Sequence, residues 1–246
     1  MLTPTGTQLP GTRGFPSPDG SASEYFGGMS ASYDSLIRRS VPRYDEMLDR
    51  LVDYLPGEAS RVLELGCGTG NLTLRLPARV SAASLTLVDG SAEMVSLTRL
   101  RLRSARTLGA EPDQFITARF EDLELPPGSF DLVVSSISLH HVEEKGSLYG
   151  RIRAMLRSGG YFCFADQIRG TPESHHQLNW RRWLDFCAEP GNCSPEDIAS
   201  LLGHAAAHDH YTTLPDHFAL LERAGFSEID CVWRNLMWGI VTAVAR

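Results

Sequence analysis

The stretch Val62-Leu63-Glu64-Leu65-Gly66-Cys67-Gly68-Thr69-Gly70-Asn71-Leu72-Thr73 constrains the fold of this chain more than any other. Branched apolar residues lead into an acidic one, three glycines alternate with small residues, and a helical pattern starts. This order predicts a buried parallel strand, a tight loop and a helix N-terminus. Glycine permits positive φ and lets a ligand approach the backbone closely. The helix start adds N–H groups without intrahelical partners and a partial positive charge. A dinucleotide fingerprint requires Gly-x-Gly-x-x-Gly. Here the third glycine is Gly70, and Asn71 occupies the dinucleotide position.

The segments that follow alternate between strand and helix patterns, as in a parallel sheet with helices on both faces. Strands are expected at Arg61–Leu65, Ser84–Asp89, Gln114–Ala118, Phe130–Ser136 and Gly160–Asp166. Helices are expected at Asn71–Leu76, at Ser91–Leu108 with Ser91 as N-cap, and at Glu144–Leu156. The chain closes with a helix, Pro215–Ala224, and an antiparallel strand pair, Ile229–Asn235 and Trp238–Ala245. Residues 168–212 break the rhythm. They hold Trp180, Trp183 and five histidines and read as a helical cap inserted into the domain.

Residues 1–22 are rich in Pro, Gly, Thr and Ser and nearly devoid of large apolar groups, which predicts a disordered extension. Residues 23–246 read as one domain, in which residues 23–57 form two helical stretches divided at Pro42, with Pro56-Gly57 ending the second. No apolar run approaches the roughly 20 residues needed to span a bilayer, and the N-terminus lacks the order of a signal peptide. A net charge of −7 disfavours a broad nucleic-acid surface. Five cysteines, none in a C-x-x-C pair, argue against a disulfide framework and fit a reduced, cytoplasmic protein. A homodimer is compatible with this composition.

Glu-x-Gly-x-Gly-x-Gly after a first strand resembles motif I of the class I S-adenosylmethionine (SAM)-dependent methyltransferases. That resemblance implies a Rossmann-like fold with a mostly parallel seven-stranded sheet and an antiparallel C-terminal hairpin. It also implies SAM as cofactor and S-adenosylhomocysteine as product. The loop residues Gly66, Cys67, Gly68 and Gly70 would then border the cofactor. Asp89, about 20 residues beyond the loop at the end of a strand, suits the ribose hydroxyls. Gly90 would let adenine lie close to the chain, with Met94 as one wall of its slot. In the family the adenine edge is read after the third strand by a Gly-Asp-small sequence. Here Arg119 stands at the Asp position and cannot accept a hydrogen bond, so Phe120 and Glu121 (or Asp122) are expected to take that role. Glu64, Ser135 and Ser136 are candidates for the ammonium of the methionine tail.

Ile37-Arg38-Arg39-Ser40-Val41-Pro42-Arg43-Tyr44 resembles the N-terminal lid of the carboxy-SAM synthases of tRNA wobble-uridine modification. This implies Tyr44 as a lid contact to the cofactor, with Tyr33 second and a candidate catalytic residue. Carboxy-SAM chemistry needs a cation for the added carboxylate, yet no Arg or Lys lies between Arg182 and Arg223. Ordinary methyl transfer to an O, N or C nucleophile of a small molecule is therefore expected. Carboxy-SAM-like tRNA modification and SAM binding without transfer remain the alternatives.

His141, after the fourth strand, falls where the resemblance to phosphoethanolamine methyltransferases places a catalytic His; imidazole is the natural base near neutral pH. His140, Trp180, Trp183, His210 and Tyr211 are candidates for the acceptor side. His204 and His208 have the i, i+4 spacing of metal ligands, but without a further clear ligand no metal site is read. Arg99, Arg103 and Arg106 share a helix face, as solvated charges do.

Overall fold

The computed structural model describes residue 21 and residues 32–82, 84–105 and 114–246. Residue 21 apart, the expected N-terminal extension and the start of the lid lie outside the described residues. So do Arg106 and the end of the helix expected to reach Leu108.

The lid region forms α1 (Tyr33–Ser40) and α2 (Tyr44–Asp53). Five strands follow: β1 (Arg61–Leu65), β2 (Ser84–Asp89), β3 (Gln114–Thr117), β4 (Phe130–Ser136) and β5 (Leu156–Arg169). Between them lie α3 (Ala92–Ala105) and α4 (Lys145–Met155). After β5 come α5 (Glu173–Cys187), α6 (Pro195–His208), the two-residue β6 (Thr212–Thr213) and α7 (Leu214–Arg223). The chain ends with β7 (Phe226–Asn235) and β8 (Trp238–Ala245). Among the described residues no helix is long and apolar enough to cross a membrane.

The sheet runs β3-β2-β1-β4-β5-β8-β7, with β6 pairing with β5 off this path. β1 pairs in parallel with β2 and β4, while β8 runs antiparallel between β5 and β7. This is the Rossmann-like order, closed by an antiparallel hairpin, that the resemblance implied. Connections leave β1 toward β2 and β4 toward β5, on opposite sides, so the chain diverges beyond their carboxyl ends and leaves a crevice there. Side-chain alternation fills both faces. Val62, Leu132 and Cys163 join α2 in one core, while Leu63, Leu65, Val133 and Phe162 join α4 and α7 in the other.

Two local expectations are corrected. Residues 71–75 form turns, and the helix there is a single 3₁₀ turn at Leu76–Ala78. Asn71 directs its amide to Asp34 and Tyr44, and Thr73 donates to Glu64. Such side chains compete with helix formation, and Pro77 supplies no backbone donor. The second correction concerns β5, which begins at Leu156 directly after α4 and extends through Arg169, into the residues assigned to the insertion. Ser91 does cap α3, its Oγ accepting from Met94 N at 3.3 Å.

The inserted helices pack on the lid. Trp183 Nε1 donates to Ser40 O at 2.8 Å, and Arg39 bridges to Asn192 O and to Asp197. Ser194 and Asp197 form a capping box that starts α6.

Glu64 is buried in β1, and Thr73 Oγ1 donates to its Oε2 at 2.7 Å. Burial pushes its carboxyl from the ordinary 4.5 up to about 8, against the opposing effect of the Thr73 bond. The folded chain therefore holds a proton that the unfolded chain releases. This contribution to stability is complete below about pH 4.5 and declines as pH rises to about 8. Thermal unfolding of Glu64→Gln should lose that slope: its Tm gains on the wild type as pH rises from about 5 to about 8.

Candidate functional site

The crevice beyond β1 and β4 holds a cavity of about 380 Å³. Its floor is the glycine loop. Gly66, Gly68 and Gly70 have φ of 70°, 52° and 85°, the left-handed region that glycine enters without strain. At Gly66 a Cβ would lie 2.3 Å from Ser138 Oγ, whereas at Gly68 it would meet nothing within 4 Å. Gly66 is thus required by its neighbour, and Gly68 leaves its backbone open to the cavity.

Asp89 closes β2 beside this loop. Gly68 N donates to its Oδ2 at 2.8 Å and Ser91 N to its Oδ1 at 2.9 Å. Burial raises the pKa of this carboxyl, and the backbone donors partly oppose the rise. Gly90, Met94, Arg119, Phe120 and Glu121 continue the wall.

The opposite wall comes from the end of β4. Ser136, Ile137, Ser138 and His141 line the cavity. Ile137 has φ 48°, a strained value for a β-branched residue. Its N–H is held by Ala165 O at 2.8 Å. Ile137 and Tyr33 also line a second cavity of about 70 Å³, with apolar Leu36, Trp183, Leu201 and Trp238 around it and His140, His204, Asp209 and Tyr211 on its polar side.

Between the two cavities, imidazoles gather on one carboxylate. Asp209 Oδ1 lies 3.2 Å from His141 Nδ1, 3.6 Å from His140 Nε2 and 3.7 Å from His204 Nε2. His140 Nδ1 is 2.5 Å from Asp166 Oδ1. Burial opposes charge on His140, but Asp166 and Asp209 more than offset it and raise its pKa. Burial, aided by His140, lowers the pKa of His141, and burial lowers that of His204 to about 3. Although burial opposes ionisation of Asp209, His140 and His141 hold it below the ordinary carboxylate range. Lys145 Nζ donates to Val142 O and His210 O, tying the turn after β4 to the segment after α6.

A methyltransferase-domain family model matches residues 62–160. The carboxy-S-adenosyl-L-methionine synthase of Shewanella loihica is 26% identical over 208 residues, 82% of this chain and 83% of that protein. The chain also aligns at 33% identity with the malonyl-[acyl-carrier protein] O-methyltransferase of Magnetococcus marinus, over 64% of this chain and 53% of that one. In fold it resembles phosphoethanolamine N-methyltransferase 2 of Haemonchus contortus, solved with SAM, at a TM-score of 0.63 and 13% identity; 91% of this chain and 58% of that one are covered. The match and these likenesses support a class I SAM-dependent methyltransferase.

The first cavity brings together Tyr33, Gly66, Gly68, Asp89, Gly90, Met94, Phe120, Glu121, Ser136, His141 and His210, all expected from the sequence. The second adds His140, Trp183 and Tyr211. Other expected residues stand behind these walls. Tyr44 OH accepts from Asn71 Nδ2, Glu64 pairs with Thr73, and Ser135 Oγ donates to Leu65 O. Cys67 and Gly70 shape the loop through the Gly70 N to Cys67 O bond, and Trp180 packs edge-on against Trp183. The sequence does not single out Ile137, Ser138 or Asp166; it marks Asp209 only as a neighbour of His210 and Tyr211 in a substrate-side element, and His204 only by its spacing to His208.

The two glycines make distinct demands. Gly66→Ala should destabilise by about 1–3 kcal/mol more than Gly68→Ala, because only the former adds a clash to the strain of positive φ. Paired Tm measurements test this.

Proposed function

We propose that this methyltransferase moves the methyl group of SAM onto an O, N or C nucleophile of a small-molecule acceptor. One observation carries the reading: a single cavity joins the glycine loop and Asp89 to His141, so cofactor-type and base-type groups face the same space.

The loop end fits the cofactor. The space over Gly68 accepts atoms where a side chain would stand. Each Asp89 oxygen accepts one backbone N–H and has lone-pair capacity left for vicinal ribose hydroxyls. Met94 and Phe120 offer apolar faces for adenine, and Glu121 an acceptor for its amino group. When bound, SAM supplies an electrophilic methyl group on a sulfonium.

The chain's own task is to position the acceptor and manage its proton. With Nδ1 turned toward Asp209, His141 keeps Nε2 as the nitrogen that accepts a proton. Its lowered pKa keeps the imidazole neutral, hence basic, around neutral pH. Tyr33 borders both cavities, and burial above all keeps its hydroxyl protonated, so it acts as a hydrogen-bond donor there. The apolar lining of the second cavity favours an acceptor with a compact apolar body. Residues 168–212 serve in this reading as its cap.

Similarity to the Shewanella protein across most of the chain supports carboxy-SAM synthesis as a second reading. The lack of Arg and Lys between Arg182 and Arg223 weighs against it. Carboxy-SAM formed from SAM and prephenate would overturn the methyl-transfer reading.

Two variants separate binding from chemistry. Asp89→Ala should weaken S-adenosylhomocysteine binding about tenfold or more by calorimetry; an unchanged Kd would remove Asp89 from the site. With a turned-over acceptor, His141→Asn should lower kcat about 100-fold while retaining S-adenosylhomocysteine affinity. An unchanged kcat would exclude His141 as the base.

A further inference from the structure

The cluster between the two cavities does more than orient one imidazole. The ligand atoms of His140, His141 and Asp209 all lie within 4.8 Å of one another, and His204 brings a third imidazole to 3.7 Å from the same carboxylate oxygen. A carboxylate oxygen has two lone-pair directions for hydrogen bonds, yet three ring nitrogens from two segments converge on Asp209 Oδ1 at 3.2–3.7 Å. That spacing suits a shared cation: with bonds of about 2.0–2.1 Å, tetrahedral ligand atoms stand about 3.3–3.4 Å apart. His140 adds an independent sign. Its Nδ1 is fixed by Asp166, buried to 2% side-chain exposure, which leaves Nε2 as the nitrogen directed at Asp209. A carboxylate behind an imidazole in this way sets the tautomer and orientation of a metal-bound histidine.

We propose that His140 Nε2, His141 Nδ1 and Asp209 Oδ1, joined by His204 Nε2 when the ion binds, form a binding site for a divalent first-row transition-metal ion. Three imidazoles and one carboxylate match zinc and its neighbours, whereas magnesium and calcium favour all-oxygen shells. The ion would join three pieces of the chain: the 3₁₀ turn at Leu139–His141, helix α6 and the segment after it. It would thereby pin the inserted helices to the carboxyl edge of the sheet. His141 has two mutually exclusive roles. In the metal-free protein it is the base of the methyl-transfer reading; in the loaded protein it is a ligand, and four protein ligands make the ion structural, with no open position for the acceptor. The site itself does not depend on methyl transfer.

The test is a titration of the full chain, without SAM or acceptor, with Co²⁺ as probe. Wild-type protein should bind one Co²⁺ per chain with the visible bands of a tetrahedral nitrogen-rich site, and Zn²⁺ should displace it. His204→Gln and Asp209→Asn should each weaken binding about tenfold or more, and Asp166→Asn should weaken it less. Circular dichroism verifies that each variant is folded. Absence of a bound ion in the wild type, or undiminished affinity in both ligand variants, overturns the proposal. Histidine ring resonances of wild-type protein decide the matter even if the variants misfold. Zn²⁺ should shift those of His140, His141 and His204 and leave those of His175 and His176 in place, and the reverse pattern refutes the site.

Discussion

The two backbone hydrogen bonds that Asp89 accepts hold the rest of the site in register. One comes from Gly68 in the loop after β1, the other from Ser91 at the start of α3. A single carboxylate thus joins the carboxyl ends of two neighbouring parallel strands to the helix that follows. Thr98 of α3 returns the link by donating to Gly68 O at 2.6 Å. Burying a carboxylate is costly unless it is hydrogen-bonded, and here the same donors that satisfy it fix the loop.

The second organising element is the exit from β4. Ile137 adopts a left-handed conformation that a β-branched residue avoids, and the Ala165 carbonyl on β5 holds it there. Ser138 then turns back over Gly66, close enough to forbid any side chain at that position. His140 and His141 leave this turn pointing toward the inserted helices. The strain at one residue directs the chemistry-bearing pair at the next positions.

Much of this was legible in the sequence, because it rests on local rules. Period-two apolar patterns, the alternating glycines and the acidic end of β2 each carry their own physical reason. The short strands and the cap residue Ser91 follow from the same rules. What escaped was tertiary in origin. Asn71 and Thr73 look compatible with a helix until their side chains find Asp34, Tyr44 and Glu64. No residue-level signal marks Ile137 for positive φ. Asp166 and Asp209 are each unremarkable alone, and only the packing of α6 against the turn after β4 draws them to His140 and His204.

The lid carries one more consequence. Asp34 on α1 receives bonds from Thr69 Oγ1, Asn71 Nδ2 and Arg101 Nη1, at 2.5–2.8 Å. These partners come from the glycine loop and α3, the elements that Asp89 also joins. Helix α1 therefore cannot swing away from the loop by degrees: its opening breaks a charged knot in one event. Any widening of the cavity on this side must therefore break these bonds together.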